Sequence, residues 1–113
     1  MVDAQAQENR LTITGRLVER AALSFTPAGV AIVNFTMAHE SRQIEAGGER
    51  DVKLELQCLA VEQEARLIAA APLGTEIRVT GFLAPKGRSG RQTILHTQSF
   101  EFVQGEIRNG NSD

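Results

Sequence analysis

The chain has no tryptophan, no tyrosine and one cysteine, and its aromatic content is five phenylalanines. A single thiol, Cys58, excludes an intrachain disulfide and fits a reducing compartment. No apolar run approaches the ~18 residues that a membrane-spanning helix needs. The opening Met1 to Asn9 lacks the basic start and apolar stretch of a secretory signal. A soluble, cytoplasmic domain is the expectation. Catalytic signatures are missing too. Gly87-Arg88-Ser89-Gly90 lacks the lysine and following hydroxyl of a nucleotide-binding P-loop, and there is no nucleophile elbow or spaced acid pair. His39, His96 and Cys58 fall on different segments, without the close pairing of zinc ligands. The sequence therefore predicts a non-enzyme with no metal and no cofactor.

A global basic field is also absent. The 113 residues hold 12 Lys and Arg against 14 Asp and Glu, a net charge of −2. The polar ends, 1–9 and 104–113, contribute Asp3, Glu8, Glu106 and Asp113 against Arg108, so the body carries 12 − 1 = 11 basic and 14 − 4 = 10 acidic residues. A polyanion would have to be met by a local patch. One such patch exists. Ala84-Pro85-Lys86-Gly87-Arg88-Ser89-Gly90-Arg91-Gln92 carries three positive charges and no negative one.

The patterning around that stretch is strand-like. Leu11, Gly15 and Leu17 share a face with Ile13; Thr12, Thr14, Arg16 and Val18 take the other. Thr26-Pro27-Ala28-Gly29 suits a type I turn. A second strand places Ala31, Val33, Phe35 and Met37 opposite Ile32, Asn34, Thr36 and Ala38. Glu40 to Asp51 is polar, contains Gly47-Gly48 and reads as a long hairpin tip. Val52, Leu54, Leu56 and Cys58 then alternate with Lys53, Glu55 and Gln57. The period changes at Val61, Ala65 and Ile68, which predicts a short helix over about 61–71 ended by Pro72. A fourth strand carries Ile77, Val79 and Leu83, and a fifth runs over about 93–103. Adjacent Ile94 and Leu95 break its alternation, which predicts a bulge. Residues 1–9 and 104–113 are expected to be flexible ends around a domain at 10–103.

Five strands with one helix between the third and fourth give an all-β expectation, the OB-fold, a five-stranded Greek-key barrel. In that architecture the second and third strands and two loops, between strands 1 and 2 and between 4 and 5, form the ligand groove. The basic stretch is the strand 4–5 loop, so charge and topology select the same place.

An ordered set of segments resembles a known family. Asn9-Arg10-Leu11-Thr12-Ile13-Thr14-Gly15, Pro27-Ala28-Gly29-Val30, Asn34-Phe35-Thr36-Met37-Ala38-His39-Glu40-Ser41, Val79-Thr80-Gly81-Phe82-Leu83 and Ile94-Leu95-His96 together resemble the primosomal replication protein N (PriB) family, relatives of bacterial single-stranded DNA-binding protein. The resemblance implies a homodimer that binds single-stranded DNA and assists a replication-restart helicase with other primosome proteins. Relatives often carry stacking aromatics in the groove; this chain has Lys53 at the comparable outward position, which shifts the expected mechanism toward phosphate contacts. The candidate DNA-binding residues are Lys86, Arg88 and Arg91 on the loop, Arg16, Asn34 and Lys53 on outward strand faces, Arg50 at the 40–51 segment, and Phe25 as the stacking candidate in the strand 1–2 loop. Two other readings stay open: a primosome adaptor with weak DNA binding, and a single-stranded DNA-binding protein proper.

Overall fold

A computed structural model describes residues 7–103. Of the flexible ends expected from the sequence, 1–6 and 104–113 lie outside the described residues. The elements are β1 (Leu11–Arg20), β2 (Ser24–Phe25), β3 (Ala31–Glu45), β4 (Gly48–Val61), α1 (Glu62–Ala70), β5 (Glu76–Lys86) and β6 (Gln92–Phe102). The sheet runs β1-β5-β6-β4-β3, and β1 pairs again with β3. The strands therefore close on themselves, which removes the unpaired edges an open sheet would expose. The fold is the OB-type barrel that the strand order predicts, with one added element: the two-residue β2 pairs with the start of β3 through Ser24↔Ile32 and Phe25↔Ala31.

Alternation fills the barrel. Ala31, Val33, Phe35 and Met37 of β3, Cys58 and Ala60 of β4, Leu17 of β1, Ile77 and Val79 of β5 and Leu95 of β6 are all buried. Helix α1 closes one end by burying Ala65 and Ile68. All but one of the ladders between neighbouring strands are antiparallel. The exception is the seam between β4 and β6, which is parallel and only two residue pairs long, Cys58↔Leu95 and Leu59↔His96.

Cys58 is fully buried beside that seam, and burial pushes its thiol up to about 12. The thiolate is the reactive form. Native protein is therefore expected to stay unlabelled by a disulfide-exchange reagent over a time in which the urea-unfolded chain reacts completely. Fast native labelling would contradict that picture of the core.

Two departures from the sequence reading have physical causes. The polar 40–51 segment is not a loose tip. β3 and β4 stay paired from Ile32↔Val61 out to Glu45↔Gly48, so a ribbon projects beyond the barrel with a two-residue turn. Both faces of the ribbon meet solvent, so it has no hydrophobic alternation to read. Its charges pair across strands instead: Arg42 Nε with Asp51 at 2.9 Å, Arg42 Nη1 with Glu49 at 3.3 Å and Arg50 Nη1 with Glu45 at 3.4 Å. The turn residues Ala46 and Gly47 have φ of 52° and 80°, the double left-handed geometry of a type I′ hairpin. Alanine is strained there and asparagine less so. Ala46→Asn is expected to stabilise the fold by roughly 0.5–1 kcal/mol, read as a raised urea midpoint.

The second departure is in β1. Its pairing with β3 jumps between Leu17 and Glu19, leaving Val18 as a bulged residue. The expected bulge in the last strand is present as well: Thr80↔Ser99 is followed by Gly81↔Thr97, so Gln98 is the extra residue.

Candidate nucleic-acid interface

The outer face of β3 and β4 is laid out in cross-strand rows: Asn34 with Leu59, Thr36 with Gln57, Ala38 with Glu55, Glu40 with Lys53. Because of the Val18 bulge, Glu19 of β1 joins the Thr36 row, and Arg20 follows at the barrel end. There Arg20 Nη1 donates to the carbonyl oxygen of Ala71, the C-cap of α1. This ties the end of the helix to β1.

The β5–β6 hairpin folds toward this surface. Its ladder continues to Lys86↔Gln92, and Lys86 Nζ donates to Gln57 Oε1. β6 lies between β5 and β4 in the sheet, so this contact carries the base of the basic loop across one strand. The tip beyond it, Gly87–Arg91, is exposed. Gly87 and Gly90 have φ of 86° and 74°, values that admit glycine without strain and let the tip reverse direction. Arg88 and Arg91 carry no ion pair among the described residues; the ion pairs there belong to Arg42, Arg50 and Arg78.

Between the loop base, the β1 bulge and the β3–β4 face lies an open cleft of about 720 Å³. Glu19, Arg20, Asn34, Thr36, Gln57 and Lys86 supply its polar wall. Two of the sequence-derived candidates, Lys86 and Asn34, thus line one cavity. Arg16 is placed elsewhere on the same outer surface. It sits between Ala38 and Glu76, two rows from Asn34 along β3, roughly 13 Å. It borders a smaller hollow of about 390 Å³ with Glu40, Ser41 and Glu76. Lys53 lies one row further, opposite Glu40 and between Asp51 and Glu55 on its own strand face. Arg50 is on the ribbon, paired with Glu45.

Phe25 is 56% exposed on β2, with the Arg66 guanidinium 5.7 Å from its ring centre. One ring contact is therefore with a helix side chain, a cation–π pair. Two further aromatic pairs are present; Phe100 and Phe102 stand opposite the buried Val79 and Ile77, and Phe100 packs against the core. Phe82 and His96 stack at 5.0 Å and 17° across β5 and β6, and Phe100 and Phe102 meet edge to face at 5.3 Å. His39 is used structurally. Nδ1 lies 2.7 Å from the Thr14 carbonyl, which can only accept, and Nε2 lies 2.8 Å from Ser41 Oγ. Among the described residues no group of three or more His, Cys, Asp or Glu could hold a metal ion. No helix there is long and apolar enough to cross a membrane.

Gln57, Thr36 and Arg20 also line the cleft and are not among the candidates that the sequence suggests. Gln57 had a visible signal, since it shares the outward parity of Lys53. Arg20 had none, because the bulge that aims it breaks the alternation on which such a reading depends.

Comparison with known proteins places the chain among relatives. Residues 9–99 match the family described as "another single-strand binding protein family". The replication restart protein PriB of Bordetella pertussis is 37% identical over 99 residues, covering 88% of this chain and 92% of that protein. PriB of Nitrosomonas europaea is 31% identical over 101 residues, with 89% and 94% covered. Among solved structures, PriB from Ralstonia solanacearum superposes with a TM-score of 0.76 at 30% identity, covering 85% of this chain and 98% of that one. The single-stranded DNA-binding protein of Thermus aquaticus gives 0.70 at 22% identity over 88% of this chain and 52% of that one, a likeness of fold.

Proposed function

The chain belongs to the PriB family of single-strand binding proteins, and from that premise we propose that it is a cytoplasmic, non-enzymatic, single-stranded DNA-binding accessory of replication restart. It acts as a homodimer beside a restart helicase and other primosome proteins. The observation that carries the DNA reading is the Lys86–Gln57 contact. It sets the base of a basic loop whose arginines carry no ion pair among the described residues against the outer β3–β4 face and beside a cleft open to solvent.

The mechanism follows from the residues available. Lys86, Arg88 and Arg91 meet phosphates, whose oxygens carry no base identity, so most of the binding is blind to sequence. Asn34 adds a polar contact in the cleft and Arg16 a further charge along the same face. Lys53 and Arg50 contribute less, because carboxylates surround or pair with them. Phe25 offers the ring face that Arg66 leaves open to a base, an interaction worth about 1–3 kcal/mol where it forms.

The test is an anisotropy titration of labelled oligo-dT at several salt concentrations. Binding that weakens linearly in log–log salt, by about 0.7 per phosphate contacted, is the expected result. No binding at low salt would overturn the reading. The adaptor alternative draws on the ion-paired ribbon and the lack of Trp and Tyr. It requires oligo-dT binding to appear only when the helicase is present.

A further inference from the structure

Two arginines stand at the α1 end of the barrel. Arg20 lines the cleft and reaches across to the Ala71 carbonyl at the C-cap of the helix. Arg66 lies five residues before that cap, roughly 7.5 Å along the helix axis. Its guanidinium sits over the Phe25 ring and carries no ion pair among the described residues. Phe25 pairs with the buried Ala31, and cross-strand partners share a side, so its ring turns toward α1 and away from the outer β3–β4 face.

Carboxylates are spread unevenly around the cleft. Glu19 is in its wall. Toward the α1 end, residues 20–39 and 65–75 contain no Asp or Glu. The helix acids Glu62 and Glu64 stand in its first turn, at the far end from Ala71. The opposite direction, along β3, is acidic. There Arg16 shares its hollow with Glu40 and Glu76, and Lys53 stands among Glu40, Asp51 and Glu55. A polyanion leaving the cleft meets fewer like charges on the helical side.

We infer that the single strand leaves the cleft around the α1 end, where Arg66 is a further DNA contact: it backs one face of the Phe25 ring and takes the phosphate beside a base stacked on the other face. The inference rests on the single-stranded DNA reading above. A guanidinium holds its five N–H donors in one plane, so stacking on a ring leaves them free for phosphate oxygens. From Asn34 in the cleft to Ala31, the partner of Phe25, is three residues of β3, roughly 10 Å. That span fits within the ~4–16 nucleotides that one OB barrel takes.

The test measures oligo-dT binding across salt for the unmodified protein and for Arg66→Met, Phe25→Leu and Arg16→Met. All three side chains are exposed, so each variant is expected to fold. Arg66→Met keeps the apolar stem and removes the charge. It is expected to lower the log–log slope by about 0.7 and to weaken binding about fivefold near 0.1 M salt. Phe25→Leu is expected to weaken binding by about fivefold or more with the slope unchanged. Arg16→Met should change slope and affinity less than Arg66→Met, because Glu40 and Glu76 already offset its charge. An unchanged slope in Arg66→Met, or unchanged affinity in Phe25→Leu, overturns the inference and leaves the DNA reading standing. A larger slope change in Arg16→Met than in Arg66→Met turns the path along β3 and overturns it too. Failure of the unmodified protein to bind at low salt removes the DNA reading itself.

Discussion

Gly81→Ala is expected to destabilise the protein by roughly 3–5 kcal/mol, a large share of the ~5–15 kcal/mol that holds a domain together. The reason is contact, not backbone conformation. Gly81 lies opposite Thr97 where Gln98 bulges out of β6. A methyl at position 81 would stand 2.8 Å from the carbonyl carbon of His96, closer still to its oxygen, and 3.3 Å from the Gln98 nitrogen. These are backbone atoms in a paired strand, so they yield only if the β5–β6 ladder shifts. Gly48 is the natural control. A methyl there would have its nearest neighbour, the Glu45 carbonyl oxygen, at 3.8 Å, ordinary contact. Urea denaturation of the two variants reads the difference directly. A loss below about 1 kcal/mol for Gly81→Ala would mean that the bulge relaxes freely.

Replacing Lys86, Arg88 and Arg91 together with alanine is expected to flatten the log–log salt dependence of oligo-dT binding by roughly two units, about 0.7 for each phosphate released from contact. Near 0.1 M salt that corresponds to roughly a hundredfold weaker binding. Stability should barely move, because all three side chains are exposed and only Lys86 has a side-chain partner among the described residues. The ribbon supplies the contrast. Arg42 and Arg50 carry two positive charges against the loop's three, yet each is already paired with a carboxylate. Pairs this exposed contribute little to stability, and they leave little free charge to exchange for counterions. Alanine at 42 and 50 should therefore change the slope far less than alanine in the loop. An unaltered slope in the loop variant would remove the loop from the binding surface.

The barrel was legible wherever one strand face met the core and the other met water. Leu11 to Leu17, Ala31 to Met37 and Leu54 to Cys58 all show the two-residue period, and Val61, Ala65 and Ile68 show the helical one. The ribbon from Glu40 to Asp51 was illegible for the same physical reason: with solvent on both faces, composition carries no alternation, and polar strand looks like loop. The loop charges were legible because they are contiguous. The cleft was not. Its wall draws on positions 19, 20, 34, 36, 57 and 86, which come together only through barrel closure and a bulge that alternation cannot announce. Lys53 and Arg50 show the converse. Acidic neighbours are visible for both in one dimension, and the cross-strand register selects among them: it surrounds Lys53 with Glu40, Asp51 and Glu55 and gives Arg50 to Glu45.

The short parallel seam also bears on how the chain assembles. The β3–β4 pairing needs only a two-residue turn to start and can zip outward from Glu45↔Gly48. Closing Cys58 and Leu59 against Leu95 and His96 instead requires the helix and the whole β5–β6 hairpin to be in place first. Contacts between distant segments pay their loop-closure entropy before they return any stability. The hairpins are therefore expected to precede the barrel, whose closure needs both the β4–β6 seam and the still longer-range pairing of β1 with β5.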